Sequence, residues 1–181
     1  FVHYASLHSC TKSSSICNAG YLSVMQVMIM NNLSIDEVLS LLDLKDEGAV
    51  CGNMIELRNR FGLDALVDCY VEAFYVIRNS VGRREIAYWV GRYVKSKDVV
   101  FKMALHGLND KSYIVRHHCC QILAYSQNEG ALKGLSESLN HKHSETREDV
   151  IATIDAIKSK NHNYFVDRNH TGNVFLEMGA V

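Results

Sequence analysis

The side chains best suited to hold a metal ion lie in a run of two histidines and two cysteines at 117–120. Successive residues of a helix point about 100° apart, so only residues three or four apart, such as His117 and Cys120, share a face. His141 and His143 are the candidates for further ligands. Because no CxxC or His-x3-His pair occurs, the pattern lacks the ligand spacing of a zinc site. We expect no metal and no cofactor.

Motifs that carry catalysis are also missing from the sequence. It contains no Gly-x4-Gly-Lys-Ser/Thr phosphate loop, no Gly-x-Ser-x-Gly nucleophile elbow and no His-Glu dipeptide. Of the six cysteines, four lie in apolar helical patterns, where a free thiol acts as a small core side chain. Free cysteines are typical of a reducing cytoplasm. We therefore predict a cytoplasmic binding protein without catalytic residues.

Acidic side chains form one candidate binding surface. Residues 34–72 carry nine acids against three bases, although the formal net charge of the chain is only −1. Asp64, Asp68 and Glu72 are spaced four apart, so a helix places them in one row. Like charges at this spacing cost roughly 0.2–0.5 kcal/mol per pair, which indicates a cationic protein partner. A solvated outer helix face is the alternative interpretation.

Basic side chains dominate the next stretch, where residues 76–103 carry seven bases against two acids. Arg92 and Lys95, with Trp89 and Asp98 close in sequence, are the candidate residues for binding nucleic acid. Trp89 also lies at helical spacing from other apolar residues, a pattern that is typical of the core. The low net charge of the whole chain favours a protein partner over a nucleic acid.

The elements that must position these residues are α-helices. A capping box at 34–37 opens a helix through Leu42, and Gly62 closes the following helix. Apolar residues three and four apart predict further helices as far as residue 159. The predicted helices after Leu42 span residues 46–61, 64–79, 83–94, 97–108, 112–125, 129–139 and 144–159. Their short connections imply antiparallel neighbours.

The two ends of the chain differ from this helical pattern. Residues 1–18 are rich in serine and irregular, and the apolar run at 21–30 predicts a core helix among N-terminal helices at 19–63. That run is about half the length of a bilayer span, so we expect no membrane association. Residues 161–181 contain two β-prone runs around an Asn- and Gly-containing turn, which predict a β-hairpin that caps the fold. We expect residues 1–181 to form one domain.

Equivalent residues recur along the helices with a spacing of 31. Four apolar columns show it: Cys69, Val100 and Ala131; Tyr70, Phe101 and Leu132; Ala73, Ala104 and Leu135; Ile77, Leu108 and Leu139. Near the starts of the preceding helices stand Arg84, Arg116 and Arg147, followed three residues later by Ala87, Cys119 and Val150. A helix pair of this size buries its apolar faces by stacking on its neighbours. The pattern predicts an α-solenoid with a concave binding surface.

The segment from Leu108 to Arg116, with Asp110 inside it, resembles the turn of HEAT-like repeats. The resemblance covers residues 64–160. It implies that Asp110, Arg116, Arg84 and Arg147 form a structural ladder between successive repeats. By analogy with a HEAT-like DNA glycosylase family, Trp89, Tyr93, Arg92 and Asp98 would be the candidate groove residues.

The specific function we predict is that of an immunity protein, which binds and neutralises a bacterial toxin domain with a cationic surface, such as a nuclease. The acidic row suits such a target. The tail at 165–173 resembles the ends of short bacterial HEAT-like proteins, which include suspected immunity proteins. A nucleic-acid-binding protein and a plain scaffold are the alternatives.

Overall fold

The computed structural model describes residues 33–178 of the chain. By compactness the chain divides into two units, Phe1–Ser34 and Ile35–Val181, and the fold described here is that of the second unit. The irregular segment predicted at 1–18 and the core helix predicted at 21–30 lie outside the described residues.

The described part of the chain is all-α, as the sequence predicts. Between residues 33 and 178 it contains eight α-helices, three short 3-10 helices and no β-strand. The α-helices are α1 (Ile35–Leu42), α2 (Glu47–Phe61), α3 (Leu63–Val76), α4 (Ser80–Val90), α5 (Asp98–Gly107), α6 (Tyr113–Ser126), α7 (Leu132–Ser138) and α8 (Ser144–Lys158). The 3-10 helices are Gly91–Tyr93, Glu129–Ala131 and His162–Phe165.

Local signals explain the boundary between α2 and α3. The Asp46 side chain accepts a hydrogen bond from the backbone N–H of Ala49, which satisfies one of the donors left free at the start of α2. Gly62 ends α2 with a φ of 77°, a left-handed conformation that glycine adopts without strain. Because a single residue separates the two helices, α3 turns back immediately against α2.

Alternate helices of the chain pack on one another, with the exception of α5 and α7, which make few contacts. Helix α2 contacts α4, α4 contacts α6 and α6 contacts α8, while α1 contacts α3 and α3 contacts α5. Consecutive helices also pack, as in the pairs α1/α2, α3/α4, α5/α6 and α7/α8. Each helix in the middle of the unit therefore contacts both odd-numbered and even-numbered helices, and its apolar residues are covered on more than one side.

Three of the predicted apolar columns are uniformly buried. Their members are Cys69, Val100 and Ala131; Ala73, Ala104 and Leu135; and Ala87, Cys119 and Val150. The other two columns are less regular: Tyr70 is buried whereas Phe101 and Leu132 are half-buried, and Leu139 is half-buried beside buried Ile77 and Leu108. Each uniformly buried column contains at least one alanine, and neither of the other two columns does.

Glycine permits the closest approach between α5 and α6. A Cβ atom added to Gly107 would overlap the Sγ atom of Cys119 and approach the Phe74 ring. A side chain at this last position of α5 would therefore clash with α6, and glycine avoids the clash.

The β-hairpin predicted within 161–181 is not found in the part of it that the structure describes, which ends at Met178. Tyr164 and Phe165 lie instead in a 3-10 helix, because the Asn161 side chain accepts a hydrogen bond from the backbone N–H of Asn163 and caps it. The cause is local, since this cap directs the chain into a helical turn before the first β-prone run can extend.

Side chains also take the backbone donors that a hairpin ladder would use. The Asp167 carboxylate accepts from the backbone N–H groups of Thr171 and Gly172 at 3.0 and 2.7 Å. Farther along, the Asn163 side chain accepts from the backbone N–H of Leu176 at 3.0 Å. The segment 166–178 is therefore an ordered loop held by carboxylate and amide side chains.

Candidate functional site

Three arginines make the same pair of hydrogen bonds in three successive turns. The Nη1 atom of each donates to the backbone carbonyls six and five residues earlier. The bonds run from Arg83 to Ile77 and Arg78 (2.9 and 2.7 Å), from Arg116 to Asp110 and Lys111 (2.6 and 3.0 Å), and from Arg147 to His141 and Lys142 (2.7 and 3.2 Å). The recurrence identifies equivalent turns at the starts of α4, α6 and α8.

Two of these arginines also reach the following turn. Arg83 donates from Nε and Nη2 to the two carboxylate oxygens of Asp110, at 2.6 and 3.0 Å. Arg116 donates from Nε to the hydroxyl of Thr146 at 3.0 Å. The predicted ladder residues Asp110, Arg116 and Arg147 therefore all lie in the repeated turns, and a side-chain link runs from each turn to the next.

Arg84 is not part of this arrangement, which corrects the prediction for that residue. Its guanidinium lies 2.9 Å from Glu47 of α2 and 2.6 Å from Glu85. Arg83, one position earlier, makes the turn contacts instead. Adjacent helical residues point about 100° apart, so only one of the two can face the turn.

The acidic row on α3 is partly neutralised within the chain. The Asp68 carboxylate lies 2.7 Å from the Lys97 ammonium group. Burial and a hydrogen bond to Asp64 raise the pKa of the Tyr93 hydroxyl to about 12. Glu72 is exposed and forms no ion pair within residues 33–178. The repulsion along the row is therefore relieved in part within the chain, because two of its three acids tie α3 to the segment 93–97.

The residues proposed for nucleic-acid binding have separate surroundings. The Trp89 ring has the Arg58 and Arg92 guanidinium groups at 5.0 and 5.4 Å from its centroid. Lys95 instead lies 4.0 Å from the Tyr125 ring centroid. Asp98 pairs with Lys102 on an exposed face of α5 at 2.7 Å. The structure thus brings Trp89 and Arg92 together, and it gives Lys95 and Asp98 other contacts.

A buried carboxylate that the sequence analysis missed joins α6, α8 and the C-terminal segment. Asp149 is 2% exposed and accepts from His117 Nδ1 at 2.9 Å and from Arg168 Nη2 at 2.5 Å. Burial, the charge of Asp149 and a hydrogen bond to it raise the pKa of Tyr113. The sequence feature that could have identified Asp149 is its position directly before Val150 in the apolar pattern of α8.

A histidine bonded to a carboxylate is the arrangement of a general base, which requires a nucleophile or a water within its reach. The neighbouring thiol does not supply one, because burial raises the pKa of Cys120 to about 12. Burial also raises the pKa of Cys69 to about 11. Among residues 33–178 no three His, Cys, Asp or Glu side chains are grouped closely enough to hold a metal ion.

A groove of about 490 Å³ separates α5 from α7. Leu105 and Leu108 form its apolar part, and a Cβ atom added to Gly134 would lie 3.6 Å from Leu105 and 3.8 Å from Leu108. Charged and polar side chains complete the lining: Asn109, Lys133, Glu137, Ser138, Asn140 and His141. Gly134 of α7 and Gly130 of the preceding 3-10 helix also line the groove, and since glycine has no side chain they leave the space open.

Comparison of the chain with protein-family models, curated proteins and solved structures finds no match. Within residues 33–178, no helix has both the length and the apolar content that a bilayer crossing requires.

Proposed function

We propose that the chain is a non-enzymatic protein-binding domain, built as a solenoid of HEAT-like helix hairpins. Two observations support the solenoid: the packing of alternate helices and the recurrence of one arginine turn at the starts of α4, α6 and α8. Stacked hairpins leave one helix series available to form an extended binding surface. The buried thiols and the fully bonded Asp149 support a binding role over a catalytic one.

The groove between α5 and α7 is the observation that carries the proposed function. Its volume of about 490 Å³ is within the range of ligand clefts, roughly 300–1,000 Å³. An apolar floor of Leu105 and Leu108 with charged Lys133 and Glu137 beside it is the composition of a protein interface, apolar at its centre and polar at its rim. We propose that a side chain of the partner inserts over Gly134.

Photocrosslinking from inside the groove tests this function. Lys133 is exposed and lines the groove, so its replacement by p-benzoylphenylalanine should capture a discrete protein partner in cells that express the chain. Lys158 is equally exposed at the end of α8 and does not line the groove, so the same replacement there is the matched control. Introducing Gly134→Trp into the Lys133 variant should reduce the capture about tenfold by filling the space.

Two results would contradict the proposal. Equal capture from Lys133 and Lys158 would show that the groove is not the binding surface. Capture of nucleic acid alone from Lys133 would show that the partner is a nucleic acid and not a protein. The neutralisation of a cationic toxin domain through Asp64, Asp68 and Glu72 stays a prediction. It requires that a toxin compete with Lys97 for Asp68, which is already paired.

A further inference from the structure

Three exposed cations occupy the same position in the three repeated turns. Arg78, Lys111 and Lys142 each stand five residues before the arginine that donates to their own backbone carbonyl. All three side chains are exposed. Because the same bond fixes the backbone of each turn, the three side chains leave the fold from equivalent points. We name this set the turn row.

The spacing of the turn row follows from the packing of the helices that it precedes. Its members stand just before α4, α6 and α8, which contact one another in that order. Axes of packed helices are about 8–10 Å apart. The row therefore presents three positive charges over roughly 20 Å, with about 10 Å between neighbours.

The acids near the turn row are already engaged within the chain. Asp110 is bound by Arg83 and by the backbone N–H of Ser112. Asp43 accepts from the backbone N–H groups of Arg78 and Asn79, at 3.1 and 2.7 Å. None of the three cations of the row forms an ion pair with a side chain in residues 33–178.

The helix starts beside the row also lack side-chain caps. At the N-cap positions of α4, α6 and α8, the side chains of Asn79, Ser112 and His143 accept no capping hydrogen bond. The positive end of each helix dipole lies beside a cation of the row, although the Asp43 and Asp110 carboxylates bond to the N-cap N–H groups of α4 and α6. Glu145, in the first turn of α8, is an exposed acid beside the row, and it bonds to Ser144.

We propose that the turn row binds an extended acidic segment of a protein partner. In the extended polyproline II conformation three residues make one turn and each advances about 3.1 Å, so carboxylates at every third residue lie on one side and would meet successive cations of the row. Three cations would neutralise only about three phosphates, which gives weak binding to nucleic acid at physiological salt. The row shares no residue with the lining of the groove between α5 and α7, so either proposal can fail without the other.

Fluorescence anisotropy with a labelled peptide tests the proposal. The probe is a peptide of about twelve residues with glutamate at every third position, and the comparison peptide has the same composition with its glutamates adjacent. The triple variant Arg78→Glu, Lys111→Glu, Lys142→Glu should bind the probe at least about tenfold more weakly than the unaltered chain. The matched triple Lys102→Glu, Lys158→Glu, Lys160→Glu changes three exposed lysines elsewhere and should bind within about twofold of it.

Three outcomes would overturn the proposal: an equal loss in both triple variants, equal affinity for the two peptides, or tighter binding of a single-stranded oligonucleotide than of the probe. If the glutamate variant fails to fold by circular dichroism, the triple Arg78→Gln, Lys111→Gln, Lys142→Gln replaces it. That neutral variant should still lose at least about threefold in affinity, and no loss would reject the turn row as the binding surface.

Discussion

The repeated turns are held in place by positively charged guanidinium groups, whereas the C-terminal segment is held by negatively charged carboxylates. In each turn a guanidinium donates to two backbone carbonyls, and the same bonds occur three times along the chain. In the segment 166–178 carboxylates accept instead: Asp149 binds Arg168, Asp155 binds His170, and Asp167 binds the backbone of Thr171 and Gly172. Each of these carboxylate contacts occurs once.

The difference has a physical consequence. An arginine stays protonated at any pH at which a protein is studied, whereas a carboxylate loses its charge in acid. The contact that recurs in the three turns thus uses the group that does not titrate, and the contacts of the C-terminal segment, each of which occurs once, use groups that do. Acid should loosen the C-terminal segment while the arginine bonds of the turns persist.

Removal of the most buried turn arginine should have the largest effect. Arg116 is 2% exposed and donates to the carbonyls of Asp110 and Lys111 and to the hydroxyl of Thr146. Arg116→Met leaves three acceptors without a donor, so we expect the free energy of unfolding in urea to fall by about 3 kcal/mol. Lys111→Met, at an exposed neighbour, should change it by less than about 0.5 kcal/mol. A loss below about 1 kcal/mol for Arg116→Met would show that the turns do not depend on the guanidinium.

A matched pair of adjacent arginines tests which of them belongs to the turns. Arg83 is bidentate to the nearly buried Asp110 and also donates to two carbonyls, so Arg83→Ala should cost about 2 kcal/mol in urea unfolding. Arg84 pairs with exposed Glu47 and with buried Glu85 but donates to no turn carbonyl, so Arg84→Ala should cost less than Arg83→Ala, about 1 kcal/mol. Both changes remove the same side chain from the same helix turn. A larger loss of unfolding free energy for Arg84→Ala than for Arg83→Ala would instead support the predicted ladder role of Arg84.

The helices and most of the buried columns could be predicted because they depend on local periodicity. Ala73, Ala104 and Leu135 are all buried as expected from their spacing of 31. The choice between Arg83 and Arg84 could not be made in this way. Both stand near the start of α4. The turn arginines Arg83, Arg116 and Arg147 are 33 and then 31 residues apart, and only the packed helices reveal this spacing.

Contacts between distant residues explain the remaining differences from the sequence predictions. Lys97 pairs with Asp68 across 29 residues, and Arg168 reaches Asp149 across 19. No local pattern indicates such pairs. At the C-terminus the two runs do have β propensity, but the side chains of Asn161 and Asp167 beside them accept hydrogen bonds from backbone N–H groups. Turn-forming polar residues thus outweigh β propensity there.

Loss of the Asp149 carboxylate should free the C-terminal segment while leaving the turns in place. Asp149→Asn weakens the contacts of His117 and Arg168, and because both partners are partly exposed, water can replace some of the lost bonding. We expect a loss of about 1–2 kcal/mol in urea unfolding and faster proteolysis at Arg168. Asp155→Asn, which removes one contact to exposed His170, should have a smaller effect on both. Equal effects would mean that Asp149 is not the main anchor.

The smallest effect should come from acid acting on Asp167. Burial raises the pKa of this carboxyl, but hydrogen bonds from Thr171 and Gly172 outweigh burial and hold it below its ordinary value. A lowered pKa in the folded state means that the stabilisation is complete above the unfolded value, near 4, and is lost as pH falls through the folded one. Amide exchange at Thr171 and Gly172, corrected for the intrinsic rate, should accelerate a few-fold between about pH 6 and pH 3.

The backbone amides of Asn79 and Arg147 test whether the response to acid is confined to amides that bond to a carboxylate. Asn79 lies in the first repeated turn, but its backbone amide bonds to Asp43, whose pKa is also lowered, so this amide should respond to acid as Gly172 does. The Arg147 amide bonds to the carbonyl of His143 in a turn fixed by a guanidinium, and it should not respond. Asp167→Asn should make exchange at Gly172 fast at both pH values. Equal acceleration at Arg147 would mean that acid loosens the whole unit, and the contrast between guanidinium-held turns and a carboxylate-held end would then fail.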